Sequence, residues 1–215
     1  MNQHQLLAHR PVRTRRPLAW AAAGMASLVL LAGCASTGDD PGTGAPGGAP
    51  AAAAAAGSDA DAILAKLGLS GRSATDVIST LDQASDRKSD IFASVRYDKL
   101  VLKDGGTETA VPLPSDKFYL SVAPYVNQTH DCFYHSLTTC TGELAGQSVD
   151  VKIVDSSGKT LVESPQQIYA NGFVGFWLPR DIEGTITVTQ DGRTATSPIS
   201  TGQDAATCLS TLKLV

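Results

Sequence analysis

The sequence predicts an α+β protein: a small N-terminal helical subdomain followed by an antiparallel, β-sandwich-like domain. Three observations carry this prediction. Residues 58–83 place apolar side chains at helical spacing behind helix-start signals. From Arg96 onward, short runs of apolar residues alternate with polar ones. Those runs are punctuated by Asp104-Gly105-Gly106, Asp155-Ser156-Ser157-Gly158 and Asp191-Gly192, which are turn signals.

In chain order, Asp59, Asp61, Ile63, Leu64 and Leu67 suit a short helix with acids in its first turn, stopped at Gly68. Ser73-x-x-Asp76 before Val77, Ile78 and Leu81 resembles a capping box and starts a second helix. Leu100-Val101-Leu102 and Thr109-Ala110-Val111 flank Asp104-Gly105-Gly106 as a hairpin. Phe118 to Val126 reads as a strand. Val149, Val151 and Ile153 alternate with Asp150 and Lys152, the sign of a half-buried strand. Phe173 to Leu178 is an apolar run that suits a central strand. Ile186 and Val188 alternate with threonines, and Cys208 to Val215 makes the last strand.

The first residues read differently. Arg10, Arg13, Arg15 and Arg16 precede an apolar run from Leu18 to Ala32, too short for a good membrane span. The run stops at Leu31-Ala32-Gly33-Cys34, which looks like a lipobox, with Cys34 as the lipidated residue. Residues 1–33 are therefore expected to be a lipoprotein signal peptide. Residues 34–57 are Ala-, Gly- and Pro-rich and cannot bury enough apolar surface to offset chain entropy, so they are expected to be a tether. The helical subdomain is placed at 58–95 and the β-rich domain at 96–215. Four of the 17 Lys and Arg lie in the leader, which leaves 13 against 21 acidic residues, a net charge of −8. That balance argues against nucleic acid as a partner. Membrane contact is expected through the acyl chains on Cys34 alone, facing the periplasm or cell exterior.

With Cys34 assigned to lipid, three cysteines remain: Cys132, Cys140 and Cys208. The histidines outside the leader are His130 and His135, both beside Cys132. Disulfides use thiols in pairs, so an odd number outside the cytoplasm leaves two readings. One is a disulfide with a third, buried or dimer-forming thiol. The other is a metal site. An extended chain would hold Cys132 and Cys140 about 26 Å apart, so the segment must fold back. A tight turn centred on Ser136 brings Cβ atoms to about 4.5–5.5 Å. Thiolates favour copper(I), zinc and iron–sulfur chemistry. Zinc would need a fourth ligand, which His130 or His135 could supply. Iron–sulfur clusters normally take four cysteines. A thiol redox protein using a Cys132/Cys140 dithiol is a further alternative, although there is no Cys-x-x-Cys. No acid–base constellation suggests an enzyme; Asp131 and Glu143 read as solvated or hydrogen-bonded carboxylates.

The stretch Thr129-His130-Asp131-Cys132-Phe133-Tyr134-His135-Ser136-Leu137-Thr138-Thr139-Cys140-Thr141-Gly142-Glu143 resembles the CueP family of exported copper-binding proteins. So do Ser94 to Leu100, Asn171 to Arg180, and Thr207-Cys208-Leu209-Ser210-Thr211-Leu212. The resemblance spans roughly residues 60 to 215. It implies an extracytoplasmic copper-resistance protein with a β-rich C-terminal domain and a capacity to form homodimers. It implies a copper(I) site built by Cys132, Cys140 and Cys208, with His130 and His135 as auxiliary candidates. It also implies that copper is sequestered and exchanged with donor or client proteins. The lipobox and tether depart from the soluble periplasmic form and favour a surface-held carrier.

Overall fold

The computed structural model describes residues 50–86 and 90–215, the first seven by backbone alone. The expected signal peptide, Cys34 and most of the expected tether lie outside the described residues. No helix of the described residues is long and apolar enough to cross a membrane. The elements run in the expected order, helices first and antiparallel strands after. They are α1 (Pro50–Lys66), α2 (Ala74–Gln83), β1 (Ile91–Val95), β2 (Lys99–Asp104), β3 (Thr107–Pro112), β4 (Lys117–Val122), β5 (Ser148–Asp155), β6 (Thr160–Gln167), β7 (Val174–Pro179), β8 (Glu183–Gln190), β9 (Arg193–Ser200) and β10 (Cys208–Leu209).

Helix α1 begins eight residues before Ser58 and takes in the alanine run. Its C-terminal turns bury Ile63 and Leu64, and Gly68 follows at φ 70. Left-handed backbone there suits glycine, and it ends the helix. Helix α2 starts where the capping signal places it: Ser73 Oγ accepts from the Asp76 N–H at 3.2 Å and donates to the Asp76 carboxylate at 2.7 Å. The helices end at Gln83. Residues 91–95, within the span read as helical, form strand β1 instead, paired antiparallel with β2.

The strands form three sheets, ordered β1-β2-β3, β10-β4-β7 and β6-β5-β8-β9. The β2–β3 hairpin turns on Gly105-Gly106, and Asp191 and Gly192 both take positive φ between β8 and β9. Strand β4 is buried on both faces, which explains its unbroken apolar character. Phe118, Leu120 and Val122 point into the larger core, shared with Val149, Val151, Ile153, Ile186 and Val188. The alternate residue Tyr119 faces the smaller core, among Val77, Ile78, Leu100 and Leu102.

Two strands differ from expectation. Strand β7 is an edge of its sheet, with β4 central; its apolar run arises because Phe176 and Leu178 face one core while Trp177 packs on the other. The last segment is regular only over Cys208–Leu209, and it runs parallel to β4 rather than antiparallel. Leu212 and Leu214 are buried in the larger core as the alternation requires.

Two contacts brace the segment that carries the cysteines. Gly142 and Gly172 meet backbone to backbone: a Cβ on Gly142 would lie 2.2 Å from the Gly172 carbonyl oxygen. Gly142→Ala is expected to destabilise the protein by about 1–3 kcal/mol, because neither backbone can yield. An unchanged urea midpoint would contradict this contact. Glu143 receives the N–H groups of Val126 at 2.7 Å and Asn127 at 2.9 Å, and the Asn127 side-chain amide at 2.7 Å. The Asn127 backbone, then its side chain, then Val126 hold the Glu143 carboxyl at about 2, below its ordinary 4.5. A depressed carboxyl stabilises the fold above its unfolded value and loses that contribution as pH falls. Glu143→Gln is therefore expected to lower the urea midpoint at neutral pH, with the gap to wild type closing between about pH 4.5 and 2. A gap constant through that window would show that the charge plays no part.

Candidate metal centre

Three elements deliver the cysteines and histidines to one place. Residues 135–137 run alongside β1, with Ser136 bridged to Ser94 and hydrogen bonds from the Val95 N–H to the His135 carbonyl and from the Leu137 N–H to the Ala93 carbonyl. A turn then starts at Ser136 rather than centring on it: the Cys140 N–H reaches the Ser136 carbonyl at 3.2 Å, and the Thr139 N–H reaches Ser136 Oγ at 3.2 Å. This fold-back brings Cys132 Sγ and Cys140 Sγ to 3.4 Å. Cys208 arrives on β10, in register with Ser121 of β4, and its N–H donates to the Phe133 carbonyl at 3.1 Å. No disulfide joins these thiols.

Donor atoms converge in two overlapping sets. His130, Cys132 and Cys140 form one, all half-buried; His135, Cys140 and Cys208 form the other, with both outer members buried. Within each set the donor atoms lie within 4.8 Å of one another. Cys140 belongs to both. Two ring nitrogens, His130 Nε2 and His135 Nδ1, are buried with no hydrogen-bond partner among the described residues. An unpartnered buried nitrogen is costly in a finished fold, and each of these histidines belongs to a donor set that could hold a metal ion.

The surroundings are dry on one side and polar on the other. Phe173 and Ala123 are buried against Cys208, with Cys132 and Cys140 packed on them. The Phe173 ring lies 4.5 Å from that of His135 and 6.1 Å from that of His130. Behind His135 stands Asp82, from the last turn of α2. His135 Nε2 and Asp82 Oδ1 are 2.7 Å apart, and both side chains are fully buried. Asp82 also accepts from Asn171 Nδ2 at 2.7 Å, Tyr119 Oη at 2.6 Å and Ser121 Oγ at 3.3 Å.

Ionisation is uneven across the sulfurs. The hydrogen bond from Cys208 outweighs burial and, with help from His135 and the Ser136 N–H, pushes the Cys140 thiol well below the usual range. Cys208 moves the other way, raised by Cys140 first, then by burial and by Cys132. Burial resists charge on His135, but its bond to Asp82 and the nearby Cys132 and Cys140 raise its pKa. Cys140, the thiol pushed down, is the sulfur common to both donor sets.

All five residues singled out from the sequence meet here. In a fully extended segment His135 would point away from Cys132; the turn that starts at Ser136 brings it to the same cluster. Asp82, Asn171, Tyr119 and Ser121 are parts of the site that no local sequence pattern marks as such. The available signal for Asp82 was its position four residues after Ile78, a charged residue on the buried face of an amphipathic helix.

The chain matches the family model described as periplasmic copper-binding protein CueP over residues 76–213. A solved structure described as the crystal structure of S.CueP is 43% identical, with 73% of this chain and 97% of that one covered and a TM-score of 0.70. No curated protein matches. The matched span contains the three cysteines, both histidines and Asp82. By sequence, fold and span, the chain belongs to the CueP family of periplasmic copper-binding proteins.

Proposed function

We propose that the protein is an extracytoplasmic lipoprotein that holds copper(I) at Cys132, Cys140 and Cys208, with His130 and His135 as auxiliary donors, and passes it to client proteins. The observation that carries this reading is the convergence of soft donors on Cys140, with Cys132 Sγ at 3.4 Å and the histidines in reach. Thiolates prefer copper(I), and a half-open, three-sulfur cluster suits cargo that must be released. His135 and Cys208 form the buried side of this centre, Cys132 and His130 its half-buried side, and Cys140 joins the two. Release would begin on the half-buried side, where an incoming ligand displaces Cys132 while Cys140 and Cys208 still hold the ion. A client's thiol or imidazole would enter beside Cys132, flanked by exposed Asp131, Phe133 and Tyr134. Attachment through Cys34 would keep the carrier at the membrane.

A second reading rests on the same 3.4 Å approach of Cys132 and Cys140. Thiols that close could cycle with a disulfide, which would make the protein a redox partner. A zinc centre built from three cysteines and one histidine is a third reading.

X-ray absorption at the copper edge distinguishes these. Reduced protein loaded anaerobically with copper(I) is expected to show three sulfur ligands, falling to two in Cys208→Ser. Failure of fully reduced protein to retain copper, with a Cys132–Cys140 disulfide in the protein as isolated, would favour the redox reading. Retention of zinc against a copper(I) challenge would favour the zinc reading. For the anchor, Cys34→Ala is expected to move the protein from the membrane fraction to the soluble fraction and to abolish labelling by radioactive palmitate. Unchanged fractionation and labelling would remove the lipoprotein assignment.

A further inference from the structure

Asp82 stands where a carboxylate is penalised twice. It is fully buried, and it sits at the C-terminal end of α2, where the helix dipole disfavours negative charge. Its helix neighbours Val77 and Ile78 are core residues, so packing alone would call for an apolar side chain. Instead both carboxylate oxygens are saturated, by donors from β4, the cysteine segment and the loop before β7. The ring on Oδ1 is His135, and the backbone and ring face of that histidine are held as well. Its N–H donates to Thr207 Oγ1 at 3.0 Å, its carbonyl accepts from Ser94 Oγ at 2.9 Å, and Phe173 covers its ring. With Nε2 committed to Asp82, the nitrogen left toward Cys140 and Cys208 is Nδ1, which has no hydrogen-bond partner among the described residues.

We propose that Asp82 is the positioning residue of the centre: it holds a proton on His135 Nε2 and thereby presents Nδ1 as a ligand to the metal in the buried set. A carboxylate behind a ligating imidazole fixes its tautomer and orientation and strengthens it as a donor. The role also makes helix α2 part of the metal centre although it carries no ligand. This inference rests on the copper reading above.

The test is copper(I) affinity by competition with a chromophoric chelator, for wild type, Asp82→Asn, His135→Ala and the double variant. Asp82→Asn is expected to weaken binding about 10- to 100-fold. If Asp82 acts through His135, adding Asp82→Asn to His135→Ala weakens binding no further. Binding within twofold of wild type in Asp82→Asn, or an equal loss in both backgrounds, would overturn the proposal. Imidazole nitrogen NMR of copper(I)-loaded wild type is the readout that needs no variant to fold. The proton should remain on Nε2 while the Nδ1 resonance carries the metal shift; a metal shift on Nε2 would overturn the proposal outright. Wild type that takes up no copper(I) would instead overturn the copper reading itself, and this inference with it.

Discussion

A buried carboxylate sets the terms for the metal-binding half of this protein. Asp82 is fully buried, so its donors come from the chain, from elements far apart in sequence. Leaving any donor position empty would cost on the order of 1–3 kcal/mol. Tyr119 and Ser121 can reach it only because β4 is buried on both faces and turns these two residues away from the larger core. Asn171 reaches it while its Oδ1 accepts from the Phe173 N–H at 2.8 Å, which fixes the ring that covers both histidines. The same bonds that satisfy one carboxylate therefore shape the wall of the thiol pocket.

The pocket combines two environments that copper chemistry exploits. Phe173 and Ala123 keep water from the inner sulfurs, which strengthens every electrostatic interaction there. On the other side, Cys132 and His130 are only half-buried and give an incoming partner access. The chain holds this asymmetry by pinning the cysteine segment at both ends. Ser210 Oγ donates to the His130 carbonyl at 2.6 Å, and the Gly142 N–H meets the Asn171 carbonyl at 2.7 Å. Cys132 and Cys140 lie between these two points.

Much of this was legible in the sequence, for reasons that can be named. Hairpins at Gly105-Gly106 and Asp191-Gly192 follow from residues that accept positive φ, a purely local requirement. The gathering of Cys132, Cys140, His130 and His135 was visible because they share one short segment. What stayed hidden depends on distant parts of the chain. Strands β6 and β9 are sheet edges, each with a proline (Pro165, Pro198) and few buried side chains, so apolar alternation is faint. Strand β10 pairs parallel with β4 over two residues, too few to leave a pattern. Asp82 lies 53 residues from His135, and nothing local distinguishes it from a solvated acid except its place on the apolar face of α2.

The proposed centre holds one copper(I) ion where Cys132, Cys140 and Cys208 meet, with His135 presented by Asp82. The decisive measurement is anomalous diffraction at the copper edge from crystals of the reduced, copper(I)-loaded protein. A single copper peak is expected, bonded to Cys140, among the three sulfurs and on the Nδ1 side of His135. A peak elsewhere on the molecule, or a copper-free Cys132–Cys140 disulfide in crystals grown from reduced, loaded protein, would contradict it.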